Sequence, residues 1–210
     1  MKKIYQTISI TAVLTLLGCA HQANLSVEHL YSDPSFTGRK LSGSVIALCP
    51  LLVEEKPVQN GDLRSENLHK VLQKKRPDLQ FMGSDGFKNS FVSTSRLSSL
   101  EKLYQMLFRS EVLALKQADS LWSSVQYPYI LVYRLKTGAH INDLHENQSR
   151  RFCVVGELWS RENREPVWRS ECRGITADPT VSDTRMLLES ICLLTMQIPA
   201  VQPGFSEGEW

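Results

Sequence analysis

No apolar run in this 210-residue chain is long enough to cross a bilayer as a helix. The longest, from Ile4 to Leu17, falls short of the ~20 residues a spanning helix needs. Tyr5, Gln6, Thr7, Ser9, Thr11 and Thr15 dilute it further. Charge of one sign is scarce too. Lys2 and Lys3 account for the whole formal excess of +2. No basic run is longer than Lys74-Lys75-Arg76, so nucleic acid is a poor candidate partner. Neither Gly-x-x-x-x-Gly-Lys nor Gly-x-Gly-x-x-Gly occurs, which leaves nucleotide binding without support. The cysteines match no zinc spacing, and no metal or cofactor is expected.

What is present supports one folded body. Hydrophobic residues make up 42% of the chain, enough for a real core. Val45-Ile46-Ala47-Leu48-Cys49 is a continuous apolar run with a β-branched start, closed by Pro50, and reads as a buried strand. Leu68, Val71 and Leu72 stand at helical spacing between Ser65, a suitable N-cap, and Pro77, a stop. Leu79 to Met82 reads as a short strand. From Ser95 to Val125 one apolar face continues through Leu97, Leu100, Leu103 and Leu107, which predicts two helices with a break near Ser110. Tyr129 to Leu135 is the clearest strand. Phe152 to Trp159 and Pro166 to Arg173 form two more strands, and a helix runs from about Asp183 to Gln197. The order β-α-β-α-β-β-β-α predicts a mixed α/β (α+β) fold: a single sheet with helices packed on it.

The amino end carries the most specific signal. Met1-Lys2-Lys3, a short apolar core and a small residue before a cut make a secretory signal. Leu16-Leu17-Gly18-Cys19 resembles the lipobox of bacterial lipoproteins. That resemblance implies cleavage before Cys19, a diacylglycerol on its thiol and an acyl (palmitate-type) chain on its new amino group. Ala20, in place of the aspartate that retains such proteins in the inner membrane, implies the outer membrane, with the domain facing the periplasm. The expected organisation is a signal peptide over 1–18 and a lipidated N-terminus with tether over 19–40. A periplasmic α/β domain follows over 41–198, then a flexible tail over 199–210. An extended tether of that length lets the domain stand off the bilayer by a few nanometres.

Three further stretches carry a second resemblance: Val45 to Pro50, Tyr127-Pro128-Tyr129-Ile130-Leu131-Val132-Tyr133, and Leu158-Trp159-Ser160 returning to Glu165-Pro166-Val167-Trp168. Together they resemble a group of envelope lipoprotein domains. It includes the amino-terminal domain of TolB, the curli secretion lipoprotein and the lipoprotein activators of penicillin-binding proteins. Arg164 stands where that group often has a turn glycine. The resemblance implies a non-enzymatic, membrane-anchored domain that binds an envelope protein. An oligomeric part of a secretion or transport machine and an envelope-acting hydrolase are the alternatives.

Candidate site residues are few. Cys19 is the lipidation site. Cys153 and Cys172 lie toward the far ends of one hairpin and are the candidate disulfide in an oxidising compartment, whereas Cys49 and Cys192 read as small buried residues. Thiols in such apolar runs stay protonated and inert. His140-Ile141-Asn142-Asp143-Leu144-His145 groups ligand-type side chains but lacks a fourth ligand, so it reads as a solvated loop. Gly83-Ser84-Asp85-Gly86 has the wrong spacing for a nucleophile elbow and reads as a turn. Trp159 and Trp168 flank the hairpin turn and read as core or cross-strand packing, or as partner anchors if they face solvent. Trp210, beside Glu207 and Glu209, reads as a short hook for another protein. No catalytic residue is expected.

Overall fold

The computed structural model describes residues 24–53, 56–57, 65–92, 97–111, 119, 121–136, 150–176 and 180–201. The fold begins earlier than the composition suggests. Asn24–Ser32 is strand β1, antiparallel to the strand Glu165–Thr176, with Val27 opposite Cys172. Leu25 and Val27 alternate with Ser26 and Glu28, so the apolar pair lies against the core while the polar pair faces outward. The tether expected over 19–40 therefore gives way to sheet from Asn24 onward.

Strand β2 (Val45–Leu48) runs parallel to both β5 (Gln80–Met82) and β6 (Tyr129–Lys136). Ile46 and Leu48 enter one core cluster while Ala47 and Cys49 enter the other. A strand buried on both faces reads as an unbroken apolar run, as this one does. Pro50 cannot donate to a ladder. Beyond it the chain resumes as β3 (Leu52–Val53) beside β6, then turns back as β4 (Lys56–Pro57). Strand β7 (Arg150–Ser160) lies antiparallel between β6 and Glu165–Thr176, which is β8. The sheet order is β1-β8-β7-β6-β2-β5.

Helices cover both faces. On one, α1 (Ser65–Lys75) and α4 (Asp183–Met196) send Leu68, Leu72, Ile191 and Leu194 into a core with Ile46, Leu131, Tyr133 and Trp168. On the other, α2 (Ser84–Val92) and α3 (Leu97–Arg109) bring Phe87, Leu103 and Leu107 against Ala47, Ile130, Val132 and Trp159. Each fully buried leucine contributes about 1.5–3 kcal/mol. Gly83 to Gly86, expected as a turn, instead opens α2: the Phe87 N–H donates to the Gly83 carbonyl at 3.1 Å. Neither glycine has positive φ. Burial of Phe87 draws this segment into a helix.

The ends of α3 and α4 are closed differently. Ser110 ends α3 with φ 55°, and the Ser110 and Glu111 N–H groups return to the carbonyls of Leu107 and Met106. This is a Schellman closure with serine where glycine is usual, at the break expected near Ser110. At α4, Ser182 caps the start by accepting from the Arg185 N–H at 3.2 Å. Its last carbonyls are taken by Arg76, whose Nη1 donates to Thr195 at 2.9 Å and Ile198 at 2.8 Å. A cation there adds a donor to the carbonyls at the helix end and offsets the helix dipole. The Val201 N–H then donates to Asp78 at 3.1 Å. The folded body therefore runs to Val201, past the boundary expected at 198.

Candidate functional site

A groove of about 620 Å³ runs between α1, α4 and the start of β1. Leu25, Val71, Val181, Leu188 and Cys192 line it, and Leu193 and Met196 sit at its edge. The last two are 39% and 52% exposed. Lys75, Arg185 and Glu189 supply the charge around it, with Arg185 Nε donating to Glu189 at 2.9 Å. The size falls within the ~300–1,000 Å³ of typical ligand clefts. An apolar interior with charges at the rim is chemistry for an apolar chain with a polar end.

The opposite face of β6, β7 and β8 carries charge at depth. Glu157 is fully buried, and its carboxylate meets Arg134 at 2.5 Å and Arg169 at 2.6 Å. Ser110 Oγ donates to the same oxygen at 2.9 Å, and Trp159 Nε1 donates to the other at 3.1 Å. Arg134 also donates to the Phe108 carbonyl at the end of α3. Burial pulls the Arg134 guanidinium below its ordinary range, with Glu157 opposing that pull. One carboxylate thus joins the end of α3 to three strands. Farther along this face, Glu171 accepts from Lys136 at 2.8 Å and Arg173 at 2.6 Å. Burial raises its carboxyl, but those two cations outweigh burial and hold it below the usual range.

The residues singled out by sequence separate cleanly. Cys153 faces Arg173 and Cys172 faces Val154 across the β7/β8 ladder, so the two thiols leave opposite faces of the sheet. Both are free, as are Cys49 and Cys192, and the expected disulfide is not formed. Burial, then the nearby Glu171, pushes the Cys153 thiol up to about 11. Burial likewise raises Cys172 and Cys192. Trp159 and Trp168 are both fully buried, which corrects their reading as partner anchors. They do not pair across strands either. A bulge at Leu158/Trp159 puts Leu158 opposite Trp168 and Trp159 opposite Pro166. Trp159 stacks on Trp122 at 6.1 Å on one face, while Trp168 joins the core on the other. Cys19, His140, Asp143, His145 and Trp210 lie outside the described residues. Among the described residues, no three His, Cys, Asp or Glu side chains are grouped to hold a metal.

Several residues escaped the sequence reading. Glu157 and Arg134 sit in otherwise apolar strands, and a charge in such a run was the available signal for a buried ion pair. Gly204-Phe205-Ser206-Glu207-Gly208 has nucleophile-elbow spacing but also lies outside the described residues. The last element before it is helix α4, whereas an elbow follows a strand.

No protein-family model and no curated protein matches the chain. Solved structures do resemble it. PelC from Paraburkholderia phytofirmans, as a dodecamer, is 12% identical over 85% of this chain and 100% of its own, with a TM-score of 0.44. The C-terminal domain of LpoB from Salmonella enterica is 11% identical, over 68% and 86%, at 0.38. Lipoprotein GNA1162 from Neisseria meningitidis is 13% identical, over 70% and 94%, also at 0.38.

Proposed function

We propose that this chain is an outer-membrane lipoprotein whose periplasmic domain binds an envelope protein and catalyses nothing. The observation that carries the reading is Leu16-Leu17-Gly18-Cys19 behind Lys2-Lys3 and a short apolar core. Lipid on Cys19 confines the domain to a thin layer above the bilayer and raises its effective concentration for partners there. The edge of β1, unpaired among the described residues, supports binding. It offers a nine-residue strand with Leu30 and Tyr31 exposed at 43% and 44%. A partner strand can add to such an edge, with backbone hydrogen bonds giving affinity and side chains giving choice. The fully buried carboxylate, Glu157, is engaged by Arg134 and Arg169, which favours binding over catalysis.

A photo-crosslinking residue in place of Tyr31, in cells, tests this. The expected result is one envelope protein captured from that position, and lost in a Cys19→Ser form. Capture that is unchanged without Cys19 rejects the tether. The same edge suits a second copy of the chain, which is the oligomer reading. It predicts self-capture at Tyr31 and a lipidated protein larger than a monomer by sedimentation.

A further inference from the structure

The position of β1 brings the groove and the lipid together. Only five residue steps separate Cys19 from Asn24, the first residue of the sheet. At ~3.6 Å per extended residue they reach at most roughly 18 Å. The next residue, Leu25, already lines the groove. A lipid on Cys19 therefore holds the groove within roughly 18 Å of the membrane, closer than a longer tether allows. The exposed Leu193 and Met196 lie on the same groove, and Lys75, Arg185 and Glu189 stand at its rim, Arg185 paired with Glu189 through one of its nitrogens. Apolar side chains flanked by cations match the interface of a bilayer, where acyl chains begin below anionic phosphates.

We propose that the α1/α4 groove is a lipid-contacting surface. The bilayer that holds Cys19 fills it, with acyl chains against Leu25, Leu188, Leu193 and Met196 and headgroup phosphates on Lys75 and Arg185. The inference rests on the lipidation of Cys19 proposed above. It makes the domain an oriented body, resting on the membrane by one face and presenting the rest of its surface to the periplasm.

Cys192 reports on it directly, because this half-buried thiol lines the groove. The full-length lipoprotein is placed in vesicles of phosphatidylethanolamine with phosphatidylglycerol as the minor component. Alkylation of each cysteine by N-ethylmaleimide is followed by peptide mass, beside the Cys19→Ser protein in solution. Access governs thiol reaction, so Cys192 should react at least about tenfold more slowly in vesicles. Cys153, on the opposite face, should keep its rate. Leu193→Glu and Met196→Glu alter exposed positions that the fold tolerates, and each should restore Cys192 reactivity in vesicles. Equal Cys192 rates in the two forms, with acyl groups present by intact mass, overturn the groove assignment alone. An intact mass without acyl groups overturns the lipidation reading and this inference together. Protection that appears equally in concentrated Cys19→Ser protein, with a dimer by sedimentation, assigns the groove to a second copy and overturns the lipid.

Discussion

Arg76 and Thr195 stand 119 residues apart and are joined by a 2.9 Å hydrogen bond from a guanidinium to a helix-end carbonyl. The same guanidinium binds Asp78 through Nε and Nη2 at 2.8 and 2.7 Å. One side chain thus locks the end of α1 to the end of α4, the two helices that flank the groove.

Replacing Arg76 by methionine keeps the bulk and removes the charge. Asp78 then loses its cation and keeps only the Val201 N–H, while the Thr195 and Ile198 carbonyls lose the guanidinium that joins them. Asp78 is 30% exposed, so water takes up part of the loss, and the cost should fall below the about 3–5 kcal/mol of a fully buried pair broken from one side. The urea midpoint should fall accordingly, with little change in slope.

Acid should act at the same place. The hydrogen bonds from Arg76 hold the Asp78 carboxyl down to about 2, below the ordinary value of 3.8. A depressed folded value means that the stabilisation is complete above the ordinary value and is lost as pH falls from there toward 2. Asp78→Asn should lower stability at neutral pH and flatten its fall across that window. Thermal unfolding of both proteins from pH 5 to pH 2 checks it.

Glu157→Gln tests the second junction. It preserves shape but leaves Arg134 and Arg169 facing each other without an anion. A loss of about 3–5 kcal/mol is expected for a fully buried carboxylate with two partners. The Trp159 indole, which donates to Glu157, should report the change in near-ultraviolet dichroism.

Gly156 leaves room for two rings. A methyl group there would sit 3.3 Å from both Trp168 and Tyr133. Gly156→Ala should therefore cost about 1–3 kcal/mol through overpacking, despite alanine's better backbone entropy. Denaturant unfolding of this single variant measures it.

Much of the fold was legible. Val45 to Leu48, Tyr129 to Leu135, the hairpin and the last helix are strongly patterned, and each stands within a few residues of its expected place. What failed has physical causes. β1 shows only two core residues, Leu25 and Val27, among polar neighbours, because an edge strand leaves its other face to water. The two tryptophans changed faces because one bulge reverses side-chain direction for the rest of a strand, and no residue type announces a bulge. Arg164 was seen to occupy a glycine position, and it does adopt φ 61° at the hairpin turn, held by an ion pair to Asp119. Of the candidate sites, the groove was invisible, since its walls come from three segments that meet only in the folded chain.

The strand made first pairs with one made almost last. Ser26 Oγ reaches the Arg173 carbonyl across 147 residues of sequence, and β1 finds its ladder on β8, with Leu30 passed over at a bulge between His29 and Tyr31. A strand that leaves the ribosome so early has no template to fold against until the hairpin has followed it. Contacts of such separation form slowly. The sheet can be completed only after nearly the whole chain has been made, so β1 closes the sheet last.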